Sequence, residues 1–221
     1  PGFADEVCSA NINECATNNG GCDGLTDCAD TDGGFECSPC PAGYNGDGLA
    51  GCTPMEGYCH GDFVATNATN VLELADCTVI VGDLSIVGSQ FPVLSSLQAL
   101  EGLTAVWGDL RIQTSYALIH LAGLSDLEEV GGHLTLVENE NLVDLAGLEG
   151  LQVVGGTLAI ESHMKLANVD GLVSLNWVGG DLRVVANEKL AHLDGLAGLA
   201  AVETLNVGNN EGLEDISGLF N

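Results

Sequence analysis

Positive charge is almost missing from this sequence. Of its 221 residues only four are Lys or Arg, against 32 Asp or Glu, so the formal net charge is −28. Phosphate backbones and anionic lipid head groups repel such a chain, which argues against nucleic acid and membrane surfaces as partners. Aromatic residues are scarce at 5%, and no apolar run approaches the ~20 residues of a membrane-spanning helix. We therefore expect no direct membrane insertion.

Cysteine, in contrast, is abundant and unevenly placed. Eight of the nine cysteines precede residue 60 and the last is Cys77, a clustering that predicts a disulfide framework formed in an oxidising, extracellular compartment. Zinc binding is disfavoured because no histidine is interleaved and the close pair Cys37 and Cys40 has no matching second pair. Residues 1–58 also contain ten Asp or Glu and no Lys or Arg, which favours the binding of cations, calcium above all.

Residues 11–52 carry six of these cysteines, with six, five, eight, two and eleven residues between them. A stretch this short cannot hold itself by burial, so covalent cross-links must stabilise it, each by ~2–4 kcal/mol. The pattern resembles the calcium-binding kind of EGF-like module. That resemblance implies three disulfides: Cys15 with Cys28, Cys22 with Cys37, and Cys40 with Cys52. The sequence departs from most relatives by placing two residues, not one, between the fourth and fifth cysteines.

The calcium prediction rests on two segments in the register of that family, residues 11–14 and 30–35. Calcium prefers six to eight oxygen ligands. By the resemblance, these ligands are the side chains of Asn11, Glu14 and Asp30 and the backbone carbonyls of Ile12, Thr31 and Gly34. The alternative is that these Asn-rich and Asp-rich turns are ordinary solvated loops.

Cys8 has no partner within this module. Residues 1–8 resemble the hairpin that runs from Cys40 to Cys52, so we expect them to be the C-terminal remnant of a preceding EGF-like module, with Cys8 unpaired in this fragment. A free thiol and an intermolecular bridge are the alternatives. Residues 53–58 are expected to be a short linker.

A repeat of about 24 residues follows the cysteine-rich region. Gly132, Gly156 and Gly180 lie 24 residues apart, a period typical of solenoids. Within one turn, Leu134 and Leu136 alternate as in a strand, and aliphatic residues then recur at every third position, as in a chain that wraps around corners. One turn buries too little apolar area to stand alone, so like residues must stack in columns. One predicted column is Leu84, Leu110, Leu134, Leu158, Leu182 and Leu205.

The segments V-x-G-D-L-x-I and G-L-x-x-L-x-x-V-G-G-x-L resemble the receptor L domain, a leucine-rich β-helix of insulin and EGF receptor ectodomains and of fungal and bacterial surface proteins. The resemblance implies a mainly β fold in which residues 59–221 form a right-handed solenoid with ~24-residue turns. It also implies a disulfide between Cys59 and Cys77 that closes the first turn. We expect the solenoid to be truncated at its C-terminus.

The outward positions of the predicted strands form a candidate protein-binding face: Ser85, Arg111, Thr135, Ala159, Arg183 and Asn206. At ~4.8 Å per stacked strand, the two arginines lie ~14 Å apart. This face would recognise acidic protein partners, including copies of this chain or adjacent EGF-like modules. The alternative is local pairing of Asp109 with Arg111 and of Asp181 with Arg183, which stabilises little.

Another column of the repeat is polar. Asn139, Asn187 and Asn210 occupy one position of the turn and are expected to hydrogen-bond the backbone at a bend. Ser115 and His163 interrupt this column, and His163 is expected to face water rather than to bind a metal.

No nucleophile elbow, phosphate loop or paired metal ligands are found, so no enzymatic activity is expected. We expect instead an extracellular, calcium-binding structural or adhesive module for protein–protein assembly in a filament, matrix or cell-surface layer. The alternative is a ligand-binding ectodomain fragment of a cell-surface receptor, for which aromatic anchors on a concave face would be expected. Asn67, in Asn-Ala-Thr, is a glycosylation acceptor if the host glycosylates.

Overall fold

The computed structural model describes residues 12–88 and 94–219. The chain divides into two compact units with the boundary between Glu56 and Gly57. We call residues 12–56 the cystine unit and residues 57–219 the solenoid. The predictions for residues 1–8, including Cys8, and for the calcium ligand Asn11 lie outside the described residues.

The cystine unit consists of two small hairpins joined by disulfides. Its strands are β1 (Cys28–Thr31), β2 (Gly34–Cys37), β3 (Tyr44–Asn45) and β4 (Thr53–Pro54), preceded by two 3₁₀ turns, Glu14–Ala16 and Asn18–Gly21. Strand β1 pairs antiparallel with β2, and β3 with β4. The disulfides join Cys15 to Cys28, Cys22 to Cys37 and Cys40 to Cys52, which are the pairs that the resemblance implied.

Covalent links take the place of an apolar core in this unit. Among residues 12–56, only Cys22 and Thr26 have buried side chains. The Asp23 carboxylate adds a polar cross-link, because it accepts hydrogen bonds from the N–H groups of Leu25 (2.9 Å) and Cys52 (3.1 Å). These two backbone bonds lower the pKa of Asp23, since they stabilise the charged carboxylate.

Residues 53–58 are not the linker that we expected. Strand β4 lies inside the cystine unit, and the Met55 N–H extends its hairpin by donating to the Gly43 carbonyl (2.9 Å). Tyr58 already begins the first strand of the solenoid. Backbone hydrogen bonds therefore involve most of this segment. The amino-acid composition of six residues does not predict such bonds.

The solenoid contains one short α-helix and, within its described residues, thirteen strands. The helix is α1 (Ala68–Leu72). The strands are β5 (Tyr58–His60), β6 (Phe63–Ala65), β7 (Val79–Val81), β8 (Leu84–Val87), β9 (Ala105–Val106), β10 (Leu110–Gln113), β11 (Glu129–Val130), β12 (Leu134–Val137), β13 (Val153–Val154), β14 (Leu158–Glu161), β15 (Trp177–Val178), β16 (Leu182–Val185) and β17 (Leu205–Gly208). In the part of the chain that the structure describes, no helix has the length and apolar character needed to cross a bilayer.

These strands form two parallel sheets, which the chain visits alternately. Sheet I has the order β15-β13-β11-β9-β7-β5, and sheet II has the order β17-β16-β14-β12-β10-β8-β6. Short 3₁₀ turns occupy the connection after sheet II: Gln98–Leu100, Asp170–Leu172, Asp194–Leu196 and Ser217–Leu219. Each strand hydrogen-bonds the equivalent strand of the next turn, as the 24-residue period predicted.

Stacked aliphatic residues form the core between the sheets. The predicted leucine column is confirmed, because Leu110 pairs in register with Leu84 and Leu134, and the same register continues through β17. Leu158 and Leu182 are fully buried, whereas Leu205 in β17 is 48% exposed. Each buried leucine contributes ~1.5–3 kcal/mol, and this gain depends on the neighbouring turn.

The disulfide between Cys59 and Cys77 closes the first turn of the stack. Cys77 is buried against the core, and Cys59 packs on it.

Paired glycines precede several strands of sheet II, and the close stacking of neighbouring turns requires them, rather than a strained backbone. A Cβ atom on Gly155 would lie 2.1 Å from the carbonyl oxygen of Gly131 in the preceding turn.

Candidate functional site

The expected calcium ligands of the cystine unit lie on three elements that contact one another. Glu14 begins the first 3₁₀ turn, which packs against both β1 and β2. Asn13 fixes the start of this turn, since its side-chain oxygen accepts a hydrogen bond from the Ala16 N–H (3.0 Å). One carboxylate oxygen of Glu14, Oε2, is buried and has no hydrogen-bond partner among the described residues.

The other expected ligands lie at the end of the β1–β2 hairpin. Thr31 pairs with Gly34, and Asp30 pairs with Phe35. Ile12 lies two residues before Glu14 and is 74% exposed, and the role of its backbone carbonyl stays a prediction. The structure thus brings the turn of Glu14 against the strands of Asp30, Thr31 and Gly34.

This oxygen set fits a calcium ion better than a transition metal. The described residues contain no group of three or more His, Cys, Asp or Glu side chains placed to hold a metal. Any ion here would depend on two carboxylates, Glu14 and Asp30, together with backbone carbonyls, a hard-oxygen set that calcium accepts. A buried carboxylate oxygen without a partner is costly, and a cation beside Glu14 would remove that cost.

A second candidate site lies on the solvent side of sheet II. There β10, β12, β14 and β16, with the residues that precede the first three of them, border an open depression of about 310 Å³, which we call the strand-face cavity. It is lined by Asp109, Arg111, His133, Thr135, Thr157, Ala159, Glu161 and Arg183. Arg111, Thr135, Ala159 and Arg183 are in register across the four strands, as the predicted face requires. Ala159 is only 8% exposed, so it forms the floor rather than an outer contact.

The arginines of this cavity do not pair as the local alternative proposed. Arg183 Nε bonds Glu161 Oε1 at 2.8 Å, across to the neighbouring strand. The Asp181 carboxylate instead accepts a hydrogen bond from the Thr204 hydroxyl. Arg111 donates from Nη1 to the side-chain amide oxygen of Gln113 (3.2 Å). Arg183 therefore pairs with the adjacent turn, ~4.8 Å away, whereas Arg111 bonds a neutral residue of its own strand.

The polar column at the bend after sheet II is a continuous buried ladder. The Asn139 side chain donates to the Ile112 carbonyl (2.9 Å) and accepts from the Ser115 N–H (3.0 Å). Asn187 and Asn210 repeat this arrangement. The prediction that these asparagines bond the backbone is therefore confirmed. Each one links its own turn to the turn before it.

His163 belongs to this ladder, and the expectation that it faces water was wrong. It is fully buried, and its Nδ1 lies 3.0 Å from Asn187 Oδ1 while its Nε2 lies 3.4 Å from Asn139 Nδ2. Because Asn187 Oδ1 can only accept, Nδ1 carries the proton and Nε2 accepts. Burial lowers the pKa of His163 to about 4, against a smaller opposing effect of the Asn187 bond, so the imidazole is neutral at physiological pH.

Sequence reasoning missed a second ladder, at the residue just before each strand of sheet II. Side chains at this position accept the backbone N–H of the equivalent residue in the next turn. Asp109 Oδ1 accepts from the His133 N–H (2.7 Å), and His133 Nδ1 accepts from the Thr157 N–H (2.8 Å). These residues are 24 positions apart, so the sequence period could have predicted that they form one column. This column forms one side of the strand-face cavity.

Two other histidines lie beside carboxylates. His120 Nδ1 is 2.7 Å from Asp144 Oδ1. His192 Nδ1 is 3.3 Å from Asp194 Oδ2 and 3.7 Å from Asp170 Oδ1. These are pairs at the partly exposed bend, and surface pairs of this kind stabilise little.

Asn67, the potential glycosylation acceptor, is the N-cap of α1. Its side-chain oxygen accepts from the N–H groups of Thr69 (2.9 Å) and Asn70 (3.1 Å), and its amide nitrogen donates to Asn70 Oδ1 (2.9 Å). That nitrogen also donates to the Thr66 hydroxyl oxygen (3.4 Å), and a glycan would replace one of its two hydrogens and so one of these two bonds. Glycosylation of Asn67 stays a prediction.

The protein resembles thrombospondins over part of its length. It is 45% identical over 56 residues to thrombospondin-3 of Mus musculus and to thrombospondin-3 of Homo sapiens, alignments that cover 25% of this chain and 6% of each relative. It is 37% identical over 82 residues to thrombospondin-4 of Xenopus laevis, covering 35% of this chain and 8% of the relative. The chain thus spans less than a tenth of the curated relatives it matches. No protein-family model matches it.

Proposed function

We propose that this chain is a non-enzymatic, extracellular, calcium-binding structural or adhesive region that mediates protein–protein assembly in a filament, matrix or cell-surface layer. In this proposal the cystine unit is a calcium-binding EGF-like module and the solenoid is a receptor L-domain-like β-helix. The local similarity to thrombospondins supports an extracellular, calcium-binding region of a matrix or adhesive protein. Four disulfides support an oxidising compartment.

The observation that carries the calcium part is the Oε2 atom of Glu14, which is buried and has no hydrogen-bond partner among the described residues. A buried carboxylate oxygen rarely lacks a partner, and this oxygen belongs to a half-buried side chain on the turn that packs against the β1–β2 hairpin. Glu14 and Asp30 would supply charge, and the carbonyls of Thr31 and Gly34 would complete the oxygen set. Bound calcium would tie the Glu14 turn to the hairpin by offsetting the negative charge of both carboxylates.

The assembly part rests on the solenoid. Its stacked turns form a rigid scaffold on which sheet II presents one regular face, and two of the chain's four basic residues, Arg111 and Arg183, lie on that face. The sequence elsewhere is strongly acidic. Such a face is suited to a protein partner of complementary charge.

Calcium titration of the whole chain, followed by isothermal titration calorimetry, tests the proposal. We expect one site with a dissociation constant of ~10⁻⁴ to 10⁻³ M, as in extracellular modules. Glu14→Gln should weaken binding at least about tenfold, because a charged ligand is lost. Glu36→Gln is the matched control, since Glu36 is an exposed residue of β2 in the same unit. Equal affinities of the two variants, or no saturable binding, would contradict the calcium assignment.

A further inference from the structure

We propose that the strand-face cavity binds two acidic side chains of an extended partner polypeptide, spaced four residues apart. This inference rests on the proposed assembly function and names the chemistry of the partner. Three observations carry it. Two arginines lie at the ends of the cavity, small residues lie between them, and the distance between the arginines matches an extended peptide.

Both guanidinium groups keep free donors toward the cavity. An arginine has five N–H donors in a planar fork that matches a carboxylate. Arg111 uses Nη1 on the neutral amide of Gln113, and Arg183, with its side chain 48% exposed, uses Nε on Glu161. The remaining donors of each arginine can therefore take one carboxylate.

Small side chains create the space between the two arginines. Thr135 and Ala159 occupy the positions that lie in register between Arg111 and Arg183. Together with their neighbours they leave the cavity of about 310 Å³. This floor admits a small side chain of a partner that lies across the strands.

The spacing of the arginines matches an extended peptide. Arg111 and Arg183 are three strands apart in sheet II, which at ~4.8 Å per strand is ~14 Å. Side chains on one face of an extended chain recur every second residue, at ~3.4 Å per residue, so positions i and i+4 are also ~14 Å apart. An acidic residue at each of these positions would meet one arginine, and residue i+2 would lie over Thr135 and Ala159.

The local positive charge at this place favours an acidic partner. Arg111 and Arg183 are half of the basic residues of the chain, and they supply the attraction that its net charge of −28 opposes. Of the two carboxylates that line the cavity, Asp109 already accepts the His133 N–H and Glu161 is bonded to Arg183. Glu161 therefore competes with a partner for Arg183, and its removal should strengthen binding.

The test is a titration of ¹⁵N-labelled protein with the peptide Ac-Thr-Glu-Thr-Ser-Thr-Glu-Thr-NH₂, followed by NMR shifts of the Thr135 and Ala159 amides. We expect saturable shifts, about fivefold weaker affinity in each of Arg111→Gln and Arg183→Gln, and weaker binding at high salt, as for exposed charge pairs. Glu161→Gln should bind more tightly. The double variant Lys165→Gln/Lys189→Gln is the control for the double variant Arg111→Gln/Arg183→Gln, because both remove two positive charges from the chain.

Peptide controls separate the geometry from charge alone. A peptide with both Glu replaced by Gln should not bind, and one with Glu three residues apart should bind about fivefold more weakly. Equal binding of the two Glu spacings, equal losses in the arginine and lysine double variants, or saturation by oligogalacturonate but not by the peptide would each overturn the proposal. Calcium binding by the cystine unit is measured separately, so failure here leaves the proposed function intact.

Discussion

The cystine unit and the solenoid reach stability by opposite routes. In residues 12–56 only two side chains are buried and three disulfides join the hairpins. The solenoid has one disulfide, at its first turn, and a continuous column of buried leucines. A chain segment too short to enclose a core uses covalent links, whereas a repeat can extend one core turn by turn.

This contrast also separates the two kinds of site. The proposed calcium ligands lie on short elements that need cross-links to hold them, so a bound ion would contribute to order there. The strand-face cavity lies on four hydrogen-bonded strands of sheet II, whose positions the core beneath them sets. We therefore expect calcium binding to depend on the disulfides and the cavity to be independent of them.

Reduction of the disulfides should have the largest effect, and it should affect the two units very differently. Removing disulfides from small modules costs ~2–5 kcal/mol each and often abolishes folding, so residues 12–56 should unfold. The solenoid should lose order only around Cys59 and Cys77. Hydrogen exchange with mass spectrometry, with and without reductant, measures both units in one sample. Retained protection in residues 12–56 after full reduction would show that burial, not cross-linking, holds the cystine unit.

Leucine-to-alanine substitutions measure how much the stacked core of the solenoid contributes to its stability. Leu158→Ala removes a fully buried side chain from the middle of the column, and should lower the free energy of unfolding by about 3–4 kcal/mol. Leu205→Ala is the matched control, because it changes the same column position in β17, where the leucine is 48% exposed. Its cost should be about 1 kcal/mol or less. Chemical denaturation monitored by circular dichroism provides both values, and similar losses would contradict the stacking account.

The fold of the solenoid was predictable because the residues that stabilise it, the buried aliphatic side chains, repeat at the same positions in every turn. The alternation at Leu134 and Leu136 and the 24-residue interval predict the strands and their register from the sequence alone. The errors concern contacts between turns. His163 was judged by residue type, but its position in the Asn ladder buries it. The local alternative for Arg183, an ion pair with Asp181, is replaced in the structure by an ion pair with Glu161, which lies one turn away.

The proposed calcium site was predictable only as a set of residue types. The resemblance indicated Glu14 and the hairpin residues, but no spacing rule reveals that one oxygen of Glu14 is buried with no partner among the described residues. The cavity was predictable only in part: the register of Arg111 and Arg183 follows from the period, whereas its depth depends on Ala159 being almost fully buried.

Acid should weaken the solenoid through His163. Its pKa is about 4 in the folded state and about 6.5 in an unfolded chain, so the unfolded state binds more protons between these values. The contribution of neutral His163 to the free energy of unfolding is therefore fully present above about pH 6.5. It decreases as pH falls toward 4, by an amount on the order of 3 kcal/mol. Urea denaturation across this pH range measures the slope.

His163→Asn is the informative control for that slope. Asparagine occupies the same ladder position at Asn139 and Asn187 and has no titratable proton in this range, while all carboxylates remain unchanged. The variant should therefore lose the His163 contribution to the pH dependence but keep the rest. Equal slopes in the two proteins would mean that His163 does not control acid stability.

The smallest expected effect comes from the backbone after each strand of sheet II. Thr114, Glu138, Ser162, Ala186 and Asn209 share one position of the turn, and all have positive φ. Ala186 has φ 58°, a left-handed conformation that costs alanine ~1 kcal/mol but glycine almost nothing. Ala186→Gly should therefore raise the free energy of unfolding by at most about 0.5 kcal/mol, because the greater conformational entropy of glycine in the unfolded chain offsets part of the strain released. Ala197→Gly is the opposite case, since Ala197 has φ −62° and glycine there should lower the free energy of unfolding by about 0.5–1 kcal/mol. Thermal unfolding of the two variants provides the comparison, and a shift of the same sign in both would show that the left-handed position carries no strain.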